Sequence, residues 1–135
     1  MPAFRLEPRL SEGSVLVKTL ALSQLRLSNH SSFPWVYLVP ERADIVESFD
    51  LDPRDQTTLF DEITLVSRAL KAATRCDKLN IGALGNVVSQ FHFHIIARFR
   101  GDSAWPRAAW GTEVVPYAEA ARDKMLASLR SHLPA

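Results

Sequence analysis

The segment Gln90-Phe91-His92-Phe93-His94-Ile95-Ile96 carries two of the chain's four histidines, two residues apart, with large apolar residues around them. In extended backbone, successive side chains point to opposite faces. A strand here therefore sets Gln90, His92 and His94 on one face and Phe91, Phe93 and Ile95 on the other. A helix would separate the imidazoles, because residues two apart do not share a helical face, and the aromatic and β-branched content favours a strand. The apolar face is core. The polar face lines up two imidazoles and an amide that a stable core does not need. Three uses are open. The histidines are hydrogen-bonded on a polar face and otherwise idle. Alternatively they are two ligands of a zinc site, with a third from His30, His132, Cys76 or a carboxylate, none of which stands at a suggestive spacing. In the third use one imidazole is a nucleophile and the other an acid or phosphate ligand. A neutral imidazole attacks phosphorus well when its other nitrogen donates a hydrogen bond that fixes the tautomer.

The surrounding pattern supplies the elements that must hold this strand. Leu20 to Leu27 reads as a strand, bulged around Gln24, and Ser28 to Ser32 as a loop by composition. Trp35-Val36-Tyr37-Leu38-Val39 is strongly β-prone and stopped by Pro40, so it is predicted to be buried on both faces. Asp52-Pro53 offers an N-cap followed by proline at the first helical position. Leu59, Ile63, Val66, Leu70 and Ala73 then recur at helical spacing, predicting a long amphipathic helix to about Thr74. Leu79 to Leu84 reads as a further strand, with Gly85-Asn86 a tight turn into the histidine strand. A last helix from about Tyr117 carries Ala121, Met125, Leu129 and Leu133 on one side. Together these predict an α+β domain in which one long helix and a C-terminal helix lie on an antiparallel sheet.

Composition narrows the functions. The 135 residues are enough for one domain, residues 1–135, with an ordinary core. Sixteen basic against fifteen acidic residues leave a formal charge of +1, which gives no electrostatic case for nucleic-acid or membrane binding. Twelve of the basic residues are Arg, a side chain suited to phosphate, although composition alone often produces such a skew. The single cysteine, Cys76, excludes an intramolecular disulfide and a CxxC site and fits a reducing cytosol. The start Met1-Pro2-Ala3-Phe4-Arg5 lacks an apolar signal core, and no run approaches membrane-spanning length, so a cytoplasmic location is expected.

The stretch Asn80-Ile81-Gly82-Ala83-Leu84-Gly85-Asn86-Val87-Val88-Ser89-Gln90-Phe91-His92-Phe93-His94, followed by Arg98, resembles the signature of the histidine-triad (HIT) superfamily. There an Asn strand, a Gly-containing phosphate loop and a His-x-His-x-His strand are followed closely by an Arg. Trp35 to Pro40 stands at the place of the family's HxLVIP-like strand, with the long helix between. The likeness covers about residues 20–99 and leaves 100–135 as a C-terminal extension. In that extension Trp105-Pro106 and Trp110-Gly111 are similar to a bacterial branch of the superfamily. The resemblance implies a nucleotide hydrolase or nucleotidyl transferase acting at an α-phosphate, with a non-catalytic nucleotide-binding or sensing module as the alternative. It places His92 as the nucleophile and His94 as a contact to phosphate or leaving group. Asn80 would lie beside the phosphate, the backbone of Asn86 and Val87 would face it, and Asn29, with His30 as the neighbouring alternative, would take the ribose. No cofactor is required, Mg²⁺ accompanies a polyphosphate substrate, and a homodimer is expected.

Two positions depart from that pattern. Gln90 stands where the first histidine is expected, so the motif is a Q-x-H-x-H variant, in which Gln90 either braces the strand or contacts substrate. Trp35 stands where many relatives have His, which removes one ordering partner of the site. Arg98 and Arg100, just past the histidine strand, either meet phosphate or, as expected here, lie at the surface; Cys76 is expected buried and His132 solvated. Trp105 and Trp110 either cover the core edge or form a substrate or dimer surface.

Overall fold

The computed structural model describes residues 3–135. After a short helix α1 (Pro8–Glu12) come β1 (Ser14–Thr19), β2 (Ser23–Ser28) and β3 (Trp35–Pro40). The long helix α2 (Pro53–Thr74) leads to β4 (Lys78–Gly82), β5 (Phe93–Arg98) and the closing helix α3 (Glu119–Ser131). The five strands form one sheet in the order β1-β2-β3-β5-β4, with every pairing antiparallel. This is the α+β arrangement expected from the pattern, and α2 starts as its cap predicts. The Asp52 carboxylate accepts from the Asp55 amide at 2.8 Å, Pro53 takes the first helical position, and Arg75 ends the helix in the left-handed region at φ 55°.

Several boundaries differ from expectation. The strand read at Leu20–Leu27 begins only at Ser23, because Leu20 to Leu22 make the turn of a hairpin with β1, a strand the sequence reading lacks. The irregularity lies on β1 between Leu16 and Lys18, not at Gln24. The strand read at Leu79–Leu84 is Lys78–Gly82. The histidine strand does not follow a tight Gly85-Asn86 turn: the ladder opens at Phe93, and residues 83–92 form a longer irregular connection. Gly85 bends it at φ +71°, a backbone conformation that costs glycine no Cβ clash.

The sheet is covered on both sides, which explains why all six residues of β3 are buried. Leu25, Leu27, Val36, Leu38, Ile95 and Ala97 face α2 and α3 in the main core. The opposite face has two smaller covers. At one end Leu10, with Phe4 and Leu6, packs on Tyr37, Val39 and Val88. At the other end Ala104, Ala109 and Trp110 pack on Phe33, Trp35 and Ile96. His92 and His94 lie between these two covers.

Candidate active site

The register across β3 and β5 pairs Tyr37 with His94 and Trp35 with Ile96. These residues share one face of the sheet, since directly opposed side chains in an antiparallel pair lie on the same side. The His92 and His94 rings stand 4.8 Å apart, and Tyr37 meets both, at 5.6 and 5.9 Å. Phe91 is buried in the core on the other side, and Phe93 packs against it while half-buried. The face assignment read from the alternation therefore holds, although His92 precedes the ladder.

Each imidazole has its tautomer set by a partner that can play only one role. His92 Nδ1 lies 2.8 Å from the Gln90 backbone carbonyl. A carbonyl only accepts, so Nδ1 carries the proton and Nε2 keeps a lone pair. His94 Nδ1 lies 2.9 Å from Trp35 Nε1. An indole N–H only donates, so His94 Nδ1 is the bare nitrogen and Nε2 carries the proton. Both residues are 8% exposed, and burial penalises the cation. Burial lowers the His92 pKa below its ordinary value against the opposing pull of the Gln90 carbonyl. Burial and the neighbouring His92 lower His94 further, to about 3. Two neutral imidazoles thus present one lone pair and one N–H side by side. Trp35 does not remove an ordering partner, as expected from its place in the pattern; it is the ordering partner.

The remaining predicted residues fall in different surroundings. The Gln90 side chain turns to the N-terminal segment, accepting from the Glu7 amide and donating to the Arg5 carbonyl, both at 2.8 Å. Gly85 and His92 share the wall of a small cavity of about 50 Å³ with Val46, Glu47, Ala83, Leu84 and Phe91. Asn86 and Val87, next along that connection, are exposed, and their amides donate to no backbone carbonyl among the described residues. Asn80 Oδ1 accepts from Arg98 Nη1 at 2.9 Å. Asn29 Oδ1 accepts from the Tyr117 amide at 2.9 Å and lies at the surface, beside a polar groove with Glu12, Ser14 and Arg122. His30 is buried against Trp35.

Arg98 corrects the expectation of a surface residue: it is 1% exposed. Its Nε and Nη2 donate to the two oxygens of Asp102 at 2.8 and 3.0 Å, and its guanidinium sits over the Phe33 and Trp105 rings. Asp102 also accepts from the amides of Phe99, Ala104 and Trp105. The Arg98 guanidinium holds its carboxyl well below the usual carboxylate range. The pair thus pins the segment that carries Trp110 over the site. Cys76 is buried and His132 exposed, as read from the sequence. Tyr37 carried no functional reading in the sequence, where its only signal was its alternation with Trp35 on a strand otherwise made of aliphatic residues. No set of three or more His, Cys, Asp or Glu that could hold a metal ion occurs among the described residues, and no helix there is long and apolar enough to cross a membrane.

Known proteins share this fold. A histidine triad protein of Bradyrhizobium japonicum superposes with a TM-score of 0.95 at 45% identity, over 98% of this chain and 99% of that one. A histidine triad protein of Sinorhizobium meliloti gives 0.94 at 45% identity, over 96% and 97% of the two chains. A third, from Marinobacter aquaeolei, gives 0.94 at 35% identity, over 98% and 97%. No curated protein matches the chain. The HIT domain family matches residues 11–101, a span that holds the whole sheet and the paired histidines. The chain belongs to the HIT family.

Proposed function

We propose that the chain is a nucleotide hydrolase or nucleotidyl transferase that works through a nucleotidyl group on His92. The complementary tautomers of His92 and His94 carry this reading. The His92 Nε2 lone pair attacks the α-phosphorus of a dinucleoside polyphosphate or nucleoside phosphoramidate, and the bond to the leaving oxygen or nitrogen breaks. His92 keeps its Nδ1 proton through the step, so the nucleotidyl-imidazole is cationic, and the Gln90 carbonyl 2.8 Å away stabilises the charge as it develops. His94 donates its Nε2–H to a phosphoryl oxygen or to the leaving group. The free amides of Asn86 and Val87 form the kind of backbone concavity that receives phosphate oxygens. Water then attacks phosphorus, the P–N bond breaks, a nucleoside monophosphate leaves and the neutral imidazole returns. No resident metal is needed, and Mg²⁺ enters only as the counter-ion of a polyphosphate substrate. Asn80, oriented by Arg98, lies beside the phosphate in this reading, and Asn29 remains the candidate for the ribose.

A second copy of the chain is the proposed partner. β4 is an edge strand, and Ile81 on it, with Phe60 of α2, is exposed. Both line an apolar groove with Leu59, Ile63, Phe91 and Phe93. An unpaired antiparallel edge beside such a groove is self-complementary under a two-fold axis.

The test is to incubate the protein with a panel of dinucleoside polyphosphates and adenosine phosphoramidates, quench in alkali and map any phosphorus–nitrogen adduct. A nucleotidyl group on His92 is expected. Turnover with no adduct on His92 would refute the mechanism, and tight nucleotide binding without turnover would favour the sensing module.

A further inference from the structure

We propose that Trp35 is a positioning residue for His94, holding it as an Nε2–H donor through a lock that does not itself titrate. The inference rests on the reading of the histidine pair as the site of transfer to His92. Trp35 lies opposite Ile96 on β5, so its indole reaches the His94 ring along the diagonal of the ladder. The Nε1–H to Nδ1 contact of 2.9 Å requires a bare Nδ1. It therefore favours the neutral ring and one tautomer of it at the same time. A histidine or carboxylate in this place could do the same only in one protonation state. An indole has one state across the working range of a protein.

The indole is itself fixed from behind. His30 stacks on it at 5.4 Å with planes 20° apart, and Trp110 meets it edge-on at 5.9 Å. His30 has a defined tautomer as well. The Thr112 hydroxyl donates to the Ala109 carbonyl at 2.6 Å, so its oxygen must accept from His30 Nε2 at 3.1 Å. His30 Nδ1 is then a bare buried nitrogen, and it has no hydrogen-bond partner among the described residues. Single-role hydrogen bonds thus run from the Ala109 carbonyl through Thr112 to His30 and from Trp35 to His94, joined by the stack of His30 on the indole.

The other groups facing His94 do not compete for Nδ1. Those that titrate are His92 in the preceding segment and Tyr37 on β3, and both are neutral near pH 7: burial lowers the first and raises the second. Trp110 from the C-terminal segment meets the ring edge-on at 5.5 Å. Gly82 on β4, opposite His94, brings no side chain. Further along β5, Arg98 is paired with Asp102.

The experiment uses the intact protein and two readouts. In the wild type at pH 7, ¹⁵N-resolved imidazole spectra should show His94 with Nε2 protonated; an Nδ1-protonated His94 overturns the proposal. Trp35→Phe keeps an aromatic ring for the stack and removes the N–H together with the rest of the second ring. It should turn His94 into a mixture of tautomers and move its titration up toward the ordinary range. On adenosine phosphoramidate it should lower kcat by about 10- to 100-fold, between loss of one hydrogen bond and a wrong catalytic tautomer, with KM little changed. Trp35→His, which regains a donor, should recover much of kcat. If Trp35→Phe leaves both the His94 spectrum and kcat unchanged, Trp35 is only a packing residue. Equal losses in the two variants with an unaltered His94 spectrum would likewise reduce Trp35 to packing. The spectra need no substrate, so a wild type that turns over nothing would refute the hydrolase reading while the tautomer still decides the role of Trp35.

Discussion

His92 and His94 share a side-chain type and a burial, and differ only in which nitrogen is bare. That difference predicts unequal losses. His92→Ala should abolish turnover with nucleotide affinity largely kept, because it removes the bond-forming atom and little ground-state contact. His94→Ala should cost about 10²- to 10³-fold in kcat, the usual effect of losing one donor to a transition-state oxygen. Steady-state rates and binding isotherms on one substrate compare the two, and similar small effects would remove His92 from its role. Gln90 belongs to a different category. Its side-chain amide is engaged by backbone groups of Arg5 and Glu7, whereas its own carbonyl orients His92 whatever the side chain is. Gln90→Ala is therefore expected to cost about 1 kcal/mol in stability and to change kcat/KM in parallel on two leaving groups. A changed ratio between the leaving groups would instead put Gln90 against substrate.

Elements whose signals are local were legible in the chain, and those that depend on distant partners were not. The Asp52-Pro53 start of α2 and the two faces of the histidine segment come from spacing within a few residues. β1 escaped because a register shift between Leu16 and Lys18 breaks its alternation, and α1 because it is five residues long. Arg98 was misplaced because a charged residue is normally exposed, and its partners only become neighbours once β4 and the Phe99–Trp105 turn fold back on β5. The role of Trp35 required the β3–β5 register, which no short-range pattern supplies. The Arg98–Asp102 node predicts its own test. Asp102→Ala leaves a buried guanidinium without its counter-charge, and a denaturant titration should show a loss of about 3–5 kcal/mol. A loss near zero would mean that the turn is held by other contacts. On the opposite edge of the sheet from β1, Ile81→Lys should place a charge in the groove beside Phe60 and shift a dimer to monomer by light scattering. A wild-type protein that is monomeric at micromolar concentration would refute the edge pairing.

At the scale of the molecule, the buried histidines make stability depend on pH. His94 is neutral in the fold down to about pH 3, against an ordinary value of 6.5 when exposed. Between those values the unfolded chain binds the extra proton and the folded chain does not, so acid favours unfolding. His92 and His30 are lowered in the same direction by burial. Stability should be flat above about pH 7 and fall on acidification from 6.5 downward, by on the order of 1 kcal/mol per pH unit for His94 alone. Urea midpoints at about pH 7.5 and 5 would measure it, and His94→Gln should flatten the slope; equal midpoints would contradict the burial of a neutral imidazole. The two covers over the histidine face have a consequence of another kind. His94 is tied to the ladder through Trp35, and His92 to the connection before it through the Gln90 carbonyl. The walls from Phe4 to Leu10 and from Ala104 to Trp110, which contribute no strand to the sheet, grip those two partners, with Arg5 and Glu7 on the Gln90 side chain and Trp110 on the Trp35 ring. A substitution in those walls therefore reaches the reacting atoms through a single intermediary, so the fold couples the choice of cargo to the chemistry done on it.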